Sequence, residues 1–270
     1  MSGDPPDNHE IAKWDPTFVR QVANTAGSVI KRWFRAEVRN VENVPPVGGA
    51  LLVSNHSGGM TTPDGFIFVP PLYDKFGYHR PVYVLAHYGL LKLTGPLRRY
   101  LLRLGVVDAT RENAAAALNS DALVLVFPGG EYDSFRPTVS ANKVDFNGHT
   151  GYVNTAIEAG VPIVPMVSIG GQETQLFLTR GTALARRLGL TKIRLNVLPL
   201  SFGFPFGLTP ILPANFPLPA KIVTEILEPI DVTTLFGDDP DIDEVDAYVR
   251  SVMQRALDRL ASQRRFPFLG

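Results

Sequence analysis

The sequence contains no cysteine, which excludes disulfides, thiolate–metal sites and a cysteine nucleophile. It carries no excess of either charge. Lys and Arg total 26, as do Asp and Glu, so no global field draws the chain to nucleic acid, and an anionic partner has to be met by a local patch. The opening MSGDPPDNHE lacks the basic and apolar regions of a secretory leader. Also missing is an unbroken apolar run of the roughly 20 residues that a spanning helix needs. The long uncharged stretch Leu195 to Ala220 holds six prolines, each costing about 3 kcal/mol inside a helix. The chain is therefore expected not to be integral to a membrane. Among motifs, HExxH, GxSxG, GxxxxGK[ST] and GxGxxG are all absent, which argues against a zinc site, a serine nucleophile elbow and the common nucleotide loops.

What is present is a globular composition. Hydrophobic residues make up 45% and charged residues 19%, too apolar for a disordered chain. Short apolar runs bounded by glycine or proline predict strands at Ala50–Asn55, Val82–Leu85, Leu123–Phe127, Ile163–Ser168, Ile193–Leu198 and Ile222–Leu227. Helical spacing occurs between them at Pro96–Leu104, Ala109–Ser120, Tyr152–Ala159 and Thr174–Leu188. A further helix starts at Thr62-Pro63-Asp64, with a break expected at Pro70-Pro71. The alternation predicts an α/β fold, a single layered domain with a mostly parallel central sheet flanked by helices. Residues 1–14 are expected to form a disordered tail. The domain spans 15–270, with an amphipathic helix over 15–36, a motif-bearing core over 37–230 and a C-terminal helix over 241–263. The first helix puts Phe18, Val22, Val29 and Trp33 on one stripe flanked by Arg20, Lys31, Arg32 and Arg35. Packing on the core and lying in a membrane surface are both open to it.

Two strand ends carry chemistry. Asn55-His56-Ser57-Gly58-Gly59 leaves a buried strand through a glycine turn, with Asp64 just beyond. A carboxylate on one imidazole nitrogen fixes the tautomer and leaves the other to accept a proton, although a structural histidine satisfies the same pattern. Phe127-Pro128-Gly129-Gly130-Glu131 is a second strand-to-glycine turn, where backbone N–H groups are able to approach a substrate closely. Arg111 follows a short strand and is either a phosphate ligand or a solvated ion-pair partner. Two basic clusters, Lys92 with Arg98, Arg99 and Arg103, and Arg180 with Arg186, Arg187, Lys192 and Arg194, are read as a solvated face or as contacts to anionic groups.

Taken in order, His56 with Asp64, Gly105 to Arg111, Phe127 to Asp133 and Val161 to Pro165, followed by Lys221 to Ile230, resemble the glycerolipid and lysophospholipid acyltransferase superfamily over roughly residues 36–230. Two positions depart from its pattern. Thr61 stands at the family's His–x4–Asp spacing, with Asp64 three residues later. Gly129 and Tyr132 stand where the third block has Glu and Arg. The Pro-Gly-Gly form is more similar to the branch that acylates mono- and diacylglycerols. The resemblance implies acyl transfer from an acyl thioester to a glycerolipid or lysophospholipid hydroxyl, in lipid metabolism such as phospholipid biosynthesis. His56 would be the base and Asp64 its orienter, with oxyanion donors at Gly58, Gly59, Gly129 and Gly130 and substrate contacts at Asn55, Arg111, Glu131 and Arg136. It implies no metal and no bound cofactor, with acyl-CoA or acyl-carrier protein as co-substrate. It also implies a cytoplasmic protein attached peripherally to a membrane surface. A non-catalytic lipid carrier and an acyl thioesterase are the rival expectations.

Overall fold

The computed structural model describes residues 10–59, 63–87, 95–193 and 196–266. Its strands are β1 (Glu37–Arg39), β2 (Ala50–Ser54), β3 (Val82–Ala86), β4 (Val106–Asp108), β5 (Leu123–Val126), β6 (Ile163–Ile169), β7 (Leu176–Thr179), β8 (Leu200–Gly203), β9 (Gly207–Thr209) and β10 (Val223–Ile226). Its helices are α1 (Pro16–Val22), α2 (Ser28–Trp33), α3 (Asp64–Phe76), α4 (Arg98–Arg103), α5 (Arg111–Leu118), α6 (Gly130–Ser134), α7 (Gly151–Ala159), α8 (Thr182–Arg187), α9 (Val232–Phe236) and α10 (Ile242–Gln263).

Seven strands form one sheet in the order β1-β10-β6-β2-β5-β3-β4. β6, β2, β5, β3 and β4 are parallel, whereas β10 runs antiparallel to β6 and carries β1 at the edge. The central strands are apolar on both faces because both are covered. Leu51, Val53, Val124 and Val167 share one layer with Tyr152, Val153 and Ala156 of α7 and with Val245, Val249, Met253, Ala256, Leu257 and Leu260 of α10. Alternate residues Leu52, Leu125, Val164 and Met166 face Phe68, Leu72 and Tyr73 of α3 and Val19 of α1. α10 starts where the Asp241 carboxylate accepts the N–H groups of Asp243 and Glu244. The second sheet, β7-β8-β9, is antiparallel and lies within the segment between β6 and β10.

The structure differs from the sequence expectations in several places. Residues 10–14 are not a tail: Glu10 binds Arg98, the Asp108 N–H and Asn113, and Tyr83 donates to the Ile11 carbonyl. Residues 1–9 lie outside the described residues. The first helix is interrupted by a π turn at Ala23–Gly27. One extra residue rotates the C-terminal half of the helix by about 100°, so the apolar stripe does not stay on one face: Phe18 and Val22 are half-buried while Val29 and Trp33 are exposed. α3 runs through Pro70 and Pro71. The lost N–H bonds are outweighed by burial of Ile67, Phe68, Leu72 and Tyr73 on both sides of the prolines. Finally, Thr174–Leu188 is split into β7 and α8 by Gly181 at φ 62°, where a Cβ would strike the Leu198 carbonyl. No strand forms over the described part of Ile193–Leu198. The strand that follows it is β8, and Arg194 and Leu195 lie outside the described residues.

Candidate active site

β2 and β5 are neighbours in register, Val53 opposite Val126. The turns that follow them therefore emerge side by side at the carboxyl edge of the parallel strands, the usual ligand side of such sheets. His56 follows β2, and its ring stacks on Phe127 after β5, with centroids 4.2 Å apart. The ring is 16% exposed. His56 Nδ1 lies 3.2 Å from Asp64 Oδ2, and among the described residues Nε2 has no hydrogen-bond partner.

The eight-residue separation is closed by backbone shape. Gly58 and Gly59 both adopt left-handed conformations, at φ 85° and 60°, which favour glycine. A Cβ on Gly58 would lie 2.7 Å from Pro63 Cδ, and one on Gly59 would lie 2.7 Å from the Phe177 ring. The start of the loop thus touches its end, and Asp64 at the first turn of α3 arrives beneath the imidazole. Thr61 lies outside the described residues. Asp64 is buried and well supplied with donors. Its Oδ2 accepts the Ser57 N–H at 2.9 Å, and its Oδ1 accepts the Ser57 and Ser168 hydroxyls at 3.0 and 3.4 Å.

Two further side chains, not singled out from the sequence, hold the same loop. Asp133 of α6 is fully buried and accepts the His56 N–H at 2.6 Å. Its other oxygen pairs with Arg136, also buried. Burial pushes the Asp133 pKa above the ordinary aspartate value, against the pull of Arg136 and the His56 N–H. Gln172 accepts the Gly58 N–H at 2.9 Å and donates to the Arg136 carbonyl at 2.5 Å. Ser134 donates to the Gly59 carbonyl. Three successive backbone N–H groups, at His56, Ser57 and Gly58, thus end on side chains of three other elements. Asp133 closes a block already prominent in sequence, whereas nothing in the sequence marked Gln172.

The remaining expected site residues are distributed unevenly. Asn55 is turned inward. It is fully buried, and its amide exchanges two hydrogen bonds with the Ser168 backbone, extending the β2–β6 pairing by a side chain. Arg136 is likewise withdrawn by its bond to Asp133. Arg111 opens α5 at the sheet edge, exposed and 3.9 Å from Glu158. It follows β4, three strand spacings or about 14 Å from β2, and is not brought to His56. Glu131 accepts the Asn196 N–H. Of the four glycines, Gly58 and Gly130 give their N–H groups to Gln172 and the Phe127 carbonyl. Gly59 and Gly129 have no such N–H bond among the described residues. Gly129 is irreplaceable sterically, because a Cβ there would sit 2.4 Å from Asp133 Cβ.

A family model described as Acyltransferase matches residues 35–169, which span β1 through β6 and include His56, Asp64, Asp133 and Arg136. An uncharacterized protein of Mycobacterium tuberculosis is 34% identical over 247 residues, covering 89% of this chain and 65% of its own. The DGAT1/2-independent enzyme synthesizing storage lipids of Bos taurus is 30% identical over 198 residues, 72% of this chain and 56% of that one. The chain thus spans about 65% of the mycobacterial relative. The crystal structure of the 1-acyl-sn-glycerophosphate acyltransferase PlsC from Thermotoga maritima superposes with a TM-score of 0.57 at 19% identity, covering 94% of this chain and 84% of that one. It shares the α/β fold. This chain belongs to the acyltransferase family.

Proposed function

We propose that the protein transfers a fatty acyl group from an acyl thioester to a hydroxyl of a glycerolipid or lysophospholipid, with His56 as general base. The observation that carries this is the imidazole held through Nδ1 on buried Asp64, with Nε2 left unbonded at the carboxyl edge of the sheet. The acceptor oxygen attacks the thioester carbonyl as its proton passes to Nε2. Asp64 keeps the ring oriented and stabilises the imidazolium. The tetrahedral oxyanion is met by the N–H groups of Gly59 and Gly129. Collapse expels the thiolate of coenzyme A or acyl-carrier protein, which takes the proton back from His56. No acyl-enzyme and no bound cofactor enter this scheme.

Withdrawal of Arg136 into its pair with Asp133 and the distance of Arg111 favour an uncharged acceptor within this class. A relative that synthesizes storage lipids supports the same choice. Such acceptors partition into bilayers, so the protein works peripherally at a membrane surface on the cytoplasmic side. Among the described residues no helix is long and apolar enough to cross a membrane.

The test is thiol release from one long-chain acyl-CoA with and without diacylglycerol, monoacylglycerol or lysophosphatidic acid. Acceptor-dependent release, lowered about 10²–10⁴-fold in His56→Ala and in Asp64→Asn, is the expected result. Release without any acceptor identifies a thioesterase, no release identifies a carrier, and unchanged turnover in His56→Ala removes the base.

A further inference from the structure

Between Thr174 and Ala220 the sequence has five basic residues and no acidic one, although the whole chain is balanced at 26 of each sign. This insertion makes up most of the segment between β6 and β10, which also holds Glu173 and Lys221, and builds the small β7-β8-β9 sheet. An antiparallel sheet with one covered face ordinarily turns apolar side chains inward and polar ones outward. β8 and β9 do the reverse. Ser201 and Thr209, paired across the ladder, are buried. Leu176, Phe202 and Leu208, paired in one row across all three strands, point outward at 48%, 54% and 56% exposure. The isolated bridge beyond them joins Phe204 and Phe216, 71% and 70% exposed.

The surface continues onto α2. The Trp33 indole donates to the Pro217 carbonyl and Arg35 to the Pro219 carbonyl, which places exposed Trp33 beside exposed Leu218. Arg186, Arg187 and Lys192 are exposed on the same insertion, and none of them forms an ion pair among the described residues. On its inner face, Phe177 of β7 packs against Gly59 of the His56 loop. The sheet is thus a roof on the His56 loop whose outer row is apolar, and residues 174–220 around it carry only positive formal charge.

We propose that this outer face docks on an anionic lipid bilayer, with Phe202, Phe204, Phe216 and Leu208 among the headgroups and Arg186, Arg187 and Lys192 against lipid phosphates. Contiguous apolar surface of this kind marks an interaction site, and the charge selects the partner. A second copy meeting this face with its own would bring like charges together, whereas an anionic membrane complements the exposed cations Arg186, Arg187 and Lys192. A bilayer also accepts an irregular row of side chains without requiring shape complementarity. The inference rests on the membrane half of the function proposed above, and it is tested without turnover.

The experiment is co-sedimentation of the full chain with phosphatidylcholine vesicles and with vesicles in which a third of the lipid is phosphatidylglycerol. Binding is expected to the anionic vesicles and to fall steeply with added salt. It should drop about tenfold or more in Phe204→Ser/Phe216→Ser and in Arg186→Glu/Arg187→Glu, with the circular dichroism spectrum and melting temperature unchanged. Parent-like binding by both double variants overturns the assignment of the face. Equal binding to neutral vesicles overturns the charge argument, and absence of vesicle binding overturns the whole proposal. So does a dimer in solution that Phe204→Ser/Phe216→Ser converts to monomer, since a second copy would then be the occupant. Thiol release measured separately on detergent-dispersed substrate keeps failure of the chemistry distinct from failure of docking.

Discussion

At the scale of single residues, the candidate base is fixed from two directions. Asp64 holds the ring of His56, while Asp133 holds its main chain. The second contact depends on a buried ion pair, and such pairs have a distinctive energetic signature. Removing one partner strands a charge and costs about 3–5 kcal/mol, whereas replacing both with apolar groups is often nearly neutral. Asp133→Ala is therefore expected to lower the melting temperature strongly, because buried Arg136 is left without its acid. Asp133→Leu combined with Arg136→Met is expected to recover most of that stability. It should not recover acceptor-dependent turnover, because the His56 N–H still lacks its acceptor. Recovery of both in the double variant would show that Asp133 serves only the fold. The ring half of this arrangement was legible in sequence, since a histidine leaving a buried strand through two glycines with an aspartate beyond is a local pattern. The main-chain half was not. Asp133 and Gln172 reach the loop only through sheet pairing and the return of the chain after β6, at separations of 77 residues to His56 and 114 residues to Gly58.

At the scale of elements, legibility followed burial. β2, β5 and β6 are covered on both sides and read as unbroken apolar runs, so their existence and parallel pairing were open to inspection. The antiparallel placement of β10 has no local signature, because its alternatives bury the same side chains. The β7–β9 strands misled for the opposite reason: their exposed leucines and phenylalanines erase the inward–outward alternation that identifies a half-covered sheet. The N-terminal segment shows how a local cap couples to a distant strand. Asp15 accepts the N–H groups of Thr17 and Phe18 and pairs with Arg103, whose guanidinium also lies over the Phe18 ring. The Phe18 N–H and then Arg103 hold the Asp15 pKa below its ordinary 3.8. A carboxylate with a lowered folded-state pKa contributes stability that is fully present above its unfolded pKa, and that is lost as pH falls through the folded one. Glu37, lowered by Arg39 and Lys221, acts in the same direction. The melting temperature is therefore expected to decline as pH falls below the ordinary carboxylate values. In Asp15→Asn it should start lower at pH 7 and decline less steeply, and an identical slope in variant and parent would refute the role of the cap.

At the scale of the whole molecule, the insertion splits a neutral chain into two charged parts. Residues 174–220 contribute +5, so the remainder carries 21 basic and 26 acidic residues, a net −5. The polarity of this arrangement has a kinetic consequence if acyl acceptors arrive from a bilayer. An anionic surface attracts the insertion and repels the rest, so it selects the orientation that places the β7–β9 roof, and with it Gly59 and His56, toward the lipid. A neutral surface supplies the apolar contacts without that selection. Turnover on an acceptor embedded in anionic vesicles is therefore expected to exceed turnover on the same acceptor in neutral vesicles. The advantage should vanish as salt shortens the screening length from about 10 Å at 0.1 M to about 3 Å at 1 M. Turnover in neutral vesicles should change little over the same range, because apolar burial is not screened. Arg186→Glu/Arg187→Glu should behave at low salt as the parent does at high salt. A salt response of equal size in both vesicle types would instead place the charge effect on the thioester, whose coenzyme A phosphates are the other anions in the assay.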